Sequence, residues 1–204
     1  STLLASSAAS DVYKRQGSMG SGKSEIARYL RNKYPVLDCD QVNADLLKKG
    51  NLGYQKLKEM NIVELDSQGQ IIKESLASYM FSSEQNRKRV EAILHPLIFE
   101  KMHEWIQNQD KSIVFVEMPL LFEISAQKHF DSIWCVVADL DVALSRLCTY
   151  RNFTREQALA RLTSQMNPEK KMAQSNIILR NNSTVEQLHM QIEDALKEEN
   201  SHEN

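Results

Sequence analysis

Residues 17 to 24 read GSMGSGKS and fit the phosphate-binding pattern G-x-x-x-x-G-K-[ST]. Glycines let such a backbone curl until successive N–H groups converge on one phosphate, and the helix that follows directs its positive end to the same point. In the next segment, EIARYLRNKY, residues Ile26, Ala27 and Leu30 fall on one helical face. The sequence therefore predicts a phosphate-binding loop that opens an amphipathic helix.

Two side chains of this loop have a predicted chemical role. A lysine at the position of Lys23 reaches the β- and γ-phosphates of a bound nucleotide, and a hydroxyl at the position of Ser24 contacts Mg²⁺. We therefore expect the chain to bind a nucleoside triphosphate together with Mg²⁺.

Helical and strand patterns alternate along the 204 residues, which predicts an α/β fold with a mainly parallel sheet. The strand patterns are Val36-Leu37, SIVFVEMP, DSIWCVVA and NIILR. Residues 41 to about 110 are predicted to be mostly helical, and Pro96 is expected to kink or divide the longest helix there. Two more helical segments are predicted between about 142 and 166.

Composition narrows the class of partner. A formal net charge of −2 gives no general case for nucleic-acid binding, and no stretch approaches the roughly 20 apolar residues of a membrane span. The three cysteines are odd in number and lack metal-ligand spacing, which favours a reducing, intracellular setting. We expect a cytoplasmic protein that acts on a small molecule and has no nucleic-acid or membrane partners. The sequence does not determine the oligomeric state.

Two acids, Asp38 and Asp40, follow the second predicted strand. Ligands of α/β sheets gather at the carboxyl ends of the strands, where a carboxylate can orient or deprotonate an attacking hydroxyl. An acid there can also cap the next helix. We favour Asp40 for the chemistry and Asp38 for the structural role.

Two glutamates lie near the end of the most apolar strand. Glu117 ends the run IVFVE, where an acid either holds Mg²⁺ or is tied to a neighbouring loop, and the sequence leaves both readings open. Glu123, after PLLF, is a candidate contact for the acceptor substrate.

Four arginines fall close together at 146, 151, 155 and 161. Guanidinium groups on a mobile helical flap can neutralise the charge of a transferring phosphoryl group. We favour Arg151, at the turn between two predicted helices, followed by Arg146, and we interpret Arg155 as a surface residue.

Three classes of nucleotide-binding protein compete for this pattern. A GTPase would need a guanine-reading N-K-x-D motif, but NKYP has Pro35 in place of the acid. It would also need a D-x-x-G switch, and DSQG matches this motif but lies in a polar turn with no strand before it. A non-catalytic regulator would leave Asp40 and the arginines without a purpose. A small-molecule kinase needs the loop, the acid, a helical acceptor-binding insert and an arginine-bearing lid, and all four have candidates here.

From residue 17 to about 183 the chain resembles the dephospho-coenzyme A kinases. The resemblance is carried by GSMGSGKS, VLDCDQVNADLL, EAILHPLIFEKM, EMPLLFE and ARLTSQM, and ILHPLI with PLLFE at this separation is far more specific than the loop alone. It implies one P-loop kinase domain over 17–204, with a mostly parallel five-stranded sheet flanked by helices. It also implies a helical acceptor-binding insert at about 41–110 and a helical lid at about 142–166.

The resemblance also implies an activity: transfer of the ATP γ-phosphate to the ribose 3′-hydroxyl of dephospho-coenzyme A, with another small-molecule kinase, such as a nucleoside monophosphate kinase, as the alternative. Asp40 matches the family's catalytic acid, and Arg146 and Arg151 occupy lid positions. The loop that contacts ATP comprises Met19, Gly20, Ser21, Gly22, Lys23 and Ser24. The late segment NIILRNNS only approximates the family's D-x-I-x-N-x-G, and it leaves adenine contacts near Asn181 and Asn182 open.

The start of the chain does not fit this pattern. Residues 11 to 16, DVYKRQ, stand where the family has an apolar strand leading into the loop. Several charges in a strand buried on both faces are costly. We expect residues 1 to about 16 to be a foreign or disordered segment that leaves the chain without its central strand, and a genuine extension with an unusual strand is the alternative.

Overall fold

The computed structural model describes residues 11–17, 20–118, 121–122, 124–163 and 167–201. These residues form two compact units. One comprises the residues up to 37 together with those from 109 onward, and the other is Asp38–Asn108.

The strands are β1 (Asp11–Gly17), β2 (Val36–Asp38), β3 (Ile113–Glu117), β4 (Ser132–Val137) and β5 (Ile177–Arg180). Their order in the sheet is β2-β3-β1-β4-β5. β1 pairs in parallel with β3 and with β4, and β4 pairs in parallel with β5. On the β2 side, the Phe115 N–H donates to the Pro35 carbonyl at 2.9 Å. The predicted α/β class is confirmed.

Strand β1 lies in the middle of this order, where the sequence analysis expected no strand. The ladder of a sheet is built from backbone N–H and C=O groups, which every non-proline residue carries, and β3 and β4 offer β1 a pairing edge on each side. The expectation that the chain lacks a central strand is therefore wrong for residues 11–17. The foreign origin of residues 1 to about 16 stays a prediction, and residues 1–10 lie outside the described residues.

The helices are α1 (Lys23–Arg31), α2 (Cys39–Leu46), α3 (Leu52–Glu59), α4 (Lys73–Ser82), α5 (Glu84–Gln107), α6 (Leu140–Arg151), α7 (Arg155–Thr163), α8 (Pro168–Met172) and α9 (Val185–Ser201). Helix α5 begins after Ser83, whose hydroxyl accepts from the Asn86 N–H, and it continues through Pro96 rather than dividing there. Across the described ranges, no helix is both long enough and apolar enough to span a membrane.

One core joins α1 and α9 to the sheet. Ile26, Ala27 and Leu30 of α1 are buried, as the helical pattern predicted. Phe115 of β3 and Trp134 of β4 meet edge to face, with ring centroids 5.3 Å apart. This core fixes α1 against the sheet. It therefore also fixes the N-terminus of α1, which directly follows the predicted phosphate loop.

A second core lies within the unit Asp38–Asn108. Helices α2, α3 and α4 all pack against α5. The buried residues at its centre are Leu57, Ile62, Leu76, Val90 and Leu94. This unit therefore has a hydrophobic core of its own.

Replacing Leu57 with alanine should destabilise this helical unit. Leu57 is 0% exposed, so its truncation leaves a cavity and should cost about 2–5 kcal/mol of unfolding free energy. Leu52 on the same helix is 46% exposed, and Leu52→Ala should cost less than about 1 kcal/mol. Urea unfolding of the two variants measures the difference, and equal losses would contradict this description of the core.

Candidate functional site

The predicted phosphate loop reaches α1 through two glycines in left-handed conformations. Gly20 has φ of 76° and Gly22 has φ of 97°, a region that side chains rarely tolerate. Gly22 is the N-cap of α1, and as a glycine it has no side chain that could cap this end of the helix. Because the N-terminal N–H groups of a helix have no partner within the helix, they favour an anion at this point. Met19 lies outside the described residues.

The loop is tied to the end of β5 by the buried side chain of Asn181. Its Nδ2 group donates to the Ser21 carbonyl at 2.8 Å, and its backbone N–H donates to the Val137 carbonyl of β4 at 2.8 Å. A Cβ atom on Gly22 would clash with that Nδ2 group. Asn181 therefore connects the carboxyl ends of the strands to the loop.

Arg146 of α6 completes the same network. Its Nη1 group donates to the Asn181 carbonyl at 2.9 Å and to the Gly20 carbonyl at 3.4 Å, and its Nη2 group donates to Asn181 Oδ1 at 3.2 Å. Gly20 also lies close to α6, since a Cβ atom there would be 3.0 Å from the Ala143 carbonyl oxygen. Of the two arginines favoured from the sequence, Arg146 is therefore brought to the loop.

The first residues of α1 place Lys23 and Ser24 at the end of the loop. Lys23 is half-buried and Ser24 is exposed. Burial raises the pKa of the Cys135 thiol in β4, while the positive charges of Lys171 and Lys23 act to lower this pKa. The ammonium group of Lys23 is thus within electrostatic range of the central part of β4.

Helix α1 is held against α9 by a polar cluster around Glu25. The hydrogen bond from Arg28 is the largest influence on the pKa of Glu25 and lowers it, burial opposes this, and His189 of α9 lowers it further. His189 Nε2 lies 3.1 Å from Glu25 Oε1, and its ring stacks on Tyr29 with centroids 4.0 Å apart. These contacts help to fix the orientation of α1.

Glu117 is the last residue of β3 and is half-buried. It pairs in register with Arg15 of β1, and β1 runs on to Gly17, the first residue of the phosphate-binding pattern. The carboxylate is therefore on the strand beside the one that leads into the loop.

The two aspartates differ in the way that the sequence analysis favoured. Asp38 is the N-cap of α2, and its Oδ1 atom accepts from the N–H groups of Asp40 and Gln41 at 2.9 and 3.3 Å. Asp40 is exposed in the first turn of α2. Both belong to the unit Asp38–Asn108, and a catalytic role for Asp40 stays a prediction.

Two of the remaining candidates, Arg151 and Arg155, belong to the predicted lid. Arg151 is exposed at the last residue of α6, and Asn152 ends this helix in a left-handed conformation.

Helices α6 and α7 share a small core of Leu144, Leu147 and Ala158. Arg155 is exposed, and its Nη2 atom lies 3.8 Å from Asp141 Oδ1. Glu123 and the lid residues 164–166 lie outside the described residues.

The sequence did not predict the loop contacts of Asn181 or the burial of Lys171. Asn181 directly follows β5, so the rule that ligands gather at the carboxyl ends of strands pointed to it, although we applied that rule only to the acids. Lys171 is only 3% exposed, yet it sits within the charged run PEKK, which gave no signal of burial.

Comparison with known proteins identifies the relatives of this chain. The family model described as dephospho-CoA kinase matches residues 15–187. A dephospho-CoA kinase of Lactobacillus acidophilus is 34% identical over 185 residues, which cover 88% of this chain and 92% of that protein. A crystal structure of a Thermus thermophilus protein superimposes with a TM-score of 0.79 at 30% identity, covering 93% of this chain and 97% of that one. Shikimate kinase from Acinetobacter baumannii, at 13% identity, 95% and 94% coverage and a TM-score of 0.53, shares the fold.

Replacing Gly22 with alanine should abolish nucleotide binding. The added Cβ atom meets both a left-handed backbone and the Asn181 side chain. Gly50 has φ of 89° with nothing within 4 Å of an added Cβ atom, so Gly50→Ala shares only the backbone strain, about 1–2 kcal/mol. Calorimetric titration with ADP should show binding to Gly50→Ala and none to Gly22→Ala, and normal binding to Gly22→Ala would contradict this geometry of the loop.

Proposed function

The chain belongs to the dephospho-CoA kinase family, and from this premise we propose how its residues divide the work of the reaction. It is an ATP-dependent kinase that phosphorylates the ribose 3′-hydroxyl of dephospho-CoA, giving CoA and ADP in the last step of CoA biosynthesis. The observation that carries the proposal is the glycine loop at the uncapped N-terminus of α1, braced by Asn181 and Arg146.

The phosphates of ATP bind in this loop. The left-handed glycines and the N-terminus of α1 supply backbone N–H groups, and Lys23 adds a positive charge on the β- and γ-phosphates. The residues of this site are Met19, Gly20, Ser21, Gly22, Lys23 and Ser24. Such groups stabilise the transition state because they are already oriented where negative charge builds up.

Mg²⁺ would be held by the hydroxyl of Ser24 and the carboxylate of Glu117. Mg²⁺ in nucleotide sites is bound through one or two protein oxygens together with substrate phosphates and water, and these two side chains are oxygen donors of that kind. When bound, the ion neutralises charge on the phosphates.

The acceptor binds to the helical region of residues 41 to about 110, and Asp40 acts on its 3′-hydroxyl. The Asp40 carboxylate accepts the hydroxyl proton as the ribose oxygen forms its bond to the γ-phosphorus atom, while the bond from that phosphorus to the β,γ-bridging oxygen breaks and ADP leaves. Asp38 is the weaker candidate because its Oδ1 atom already caps α2.

The helical region of about 142–166 acts as the lid. Arg151, which is exposed at the end of α6, reaches the phosphoryl group when the lid closes. Arg146 holds the loop through Gly20 and Asn181, and its remaining guanidinium N–H groups can contact a phosphate. Both arginines offset the charge that develops during the transfer.

Replacing Asp40 with asparagine tests this assignment. The variant should lose about 10²- to 10⁴-fold in kcat because it lacks the proton acceptor, while its affinity for ADP should change by less than about twofold. The matched control is Asp38→Asn, which keeps a good N-capping side chain and should stay within about threefold of the parent kcat.

Steady-state kinetics with dephospho-CoA and calorimetry with ADP supply the two readouts. A near-normal kcat for Asp40→Asn, or a larger loss for Asp38→Asn, would reject the role of Asp40.

A further inference from the structure

We propose that Asn181 is the positioning residue of the phosphate-binding loop. Its buried side chain links the Ser21 carbonyl to Arg146, and through this link it sets the direction of the loop N–H groups that receive the nucleotide. The inference extends the proposed function, on which it rests for its kinetic readout only.

The chemistry of its partners fixes which way the Asn181 amide points. A guanidinium group has donors and no acceptor, so the atom that faces Arg146 Nη2 must be the amide oxygen. The NH₂ group then faces the Ser21 carbonyl, which can only accept. The reversed amide would place two donors together on one side and two acceptors on the other, so this orientation is the stable one.

The segment that Asn181 holds is intrinsically loose. Ser21 stands between two left-handed glycines, and glycine has the greatest backbone freedom of any residue. The buried Ser21 hydroxyl has no hydrogen-bond partner in the part of the chain that the structure describes, so this side chain does not hold the loop. The restraint comes instead from two hydrogen bonds to loop carbonyls. Asn181 donates one to Ser21, and Arg146 donates the other to Gly20.

Asn181 can impose this restraint because it is itself fixed. It is only 7% exposed, and its backbone N–H donates to the Val137 carbonyl at the end of β4. The close approach of its Nδ2 group to Gly22 leaves no room for a Cβ atom there. Since both polar ends of the side chain are engaged within the protein, Asn181 acts on the nucleotide through the loop.

The experiment compares Asn181→Ala with Asn182→Ala. The adjacent Asn182 is exposed, and its Oδ1 atom accepts from the Asp139 N–H at 2.7 Å, outside the loop. Each variant therefore loses one amide side chain with a backbone partner, but only Asn181→Ala releases the loop. ADP affinity is measured by calorimetry without acceptor, and KM is measured for ATP and for dephospho-CoA.

Asn181→Ala should bind ADP about five- to tenfold more weakly than the parent, with a parallel rise in KM for ATP and a KM for dephospho-CoA within about twofold. Asn182→Ala should stay within about twofold on all three. A merely structural role would leave ADP affinity and the ratio of the two KM values unchanged, so an ADP affinity of Asn181→Ala within about twofold of the control overturns the proposal.

Two further readouts keep the outcomes distinct. If the parent protein binds ADP but transfers no phosphate to dephospho-CoA, the proposed function fails while the comparison of ADP affinities still decides the role of Asn181. If circular dichroism shows that Asn181→Ala is unfolded, Asn181→Asp replaces it. That variant keeps the size and the Arg146 contact but turns an oxygen toward the Ser21 carbonyl, so it should bind ADP at least fivefold more weakly, and an affinity within about twofold of the parent again overturns the proposal.

Discussion

The turn from β1 into α1 is the constraint on which the rest of the structure depends. Two left-handed glycines bring the chain to the uncapped N-terminus of α1, where the helix favours an anion. This arrangement needs a strand that ends at the loop and a helix that cannot rotate. The parallel neighbours β3 and β4 supply the first, and the buried face of α1 against the sheet supplies the second. Arg146 of α6 and Asn181, which follows β5, bring their side chains to this loop.

The network of Arg146 and Asn181 changes the interpretation of the lid. The sequence predicted that Arg146 lies on a mobile helical flap. In the structure, Arg146 contacts the phosphate loop and Asn181, the residue that follows β5. The middle of α6 is thus joined to the phosphate loop, while Arg151 lies exposed at the C-terminal end of this helix. Closure of the proposed lid would move Arg151 more than Arg146, so Arg146 would hold the loop throughout and Arg151 would reach the phosphoryl group only on closure.

What could be predicted from the sequence depended on local patterns. The buried face of α1, the apolar strand β3 and the cap formed by Asp38 follow from periodicity, hydrophobic runs and N-cap chemistry over a few residues. Strand β1 could not be predicted, because its charged residues opposed the pattern and its pairing comes from distant strands. The position of Asn181 after β5 follows from a local pattern, but its contacts do not, since its partners Arg146 and Ser21 are 35 and 160 residues away in the chain.

The central claim is that this chain is a kinase for dephospho-CoA. The most direct measurement is ADP release from Mg²⁺-ATP by the purified chain with dephospho-CoA, AMP, UMP or no acceptor, with circular dichroism on the same sample to establish that it is folded. We expect ADP release that depends on dephospho-CoA and yields CoA. A folded sample that releases ADP only with a nucleoside monophosphate, or releases none with any acceptor, would contradict it.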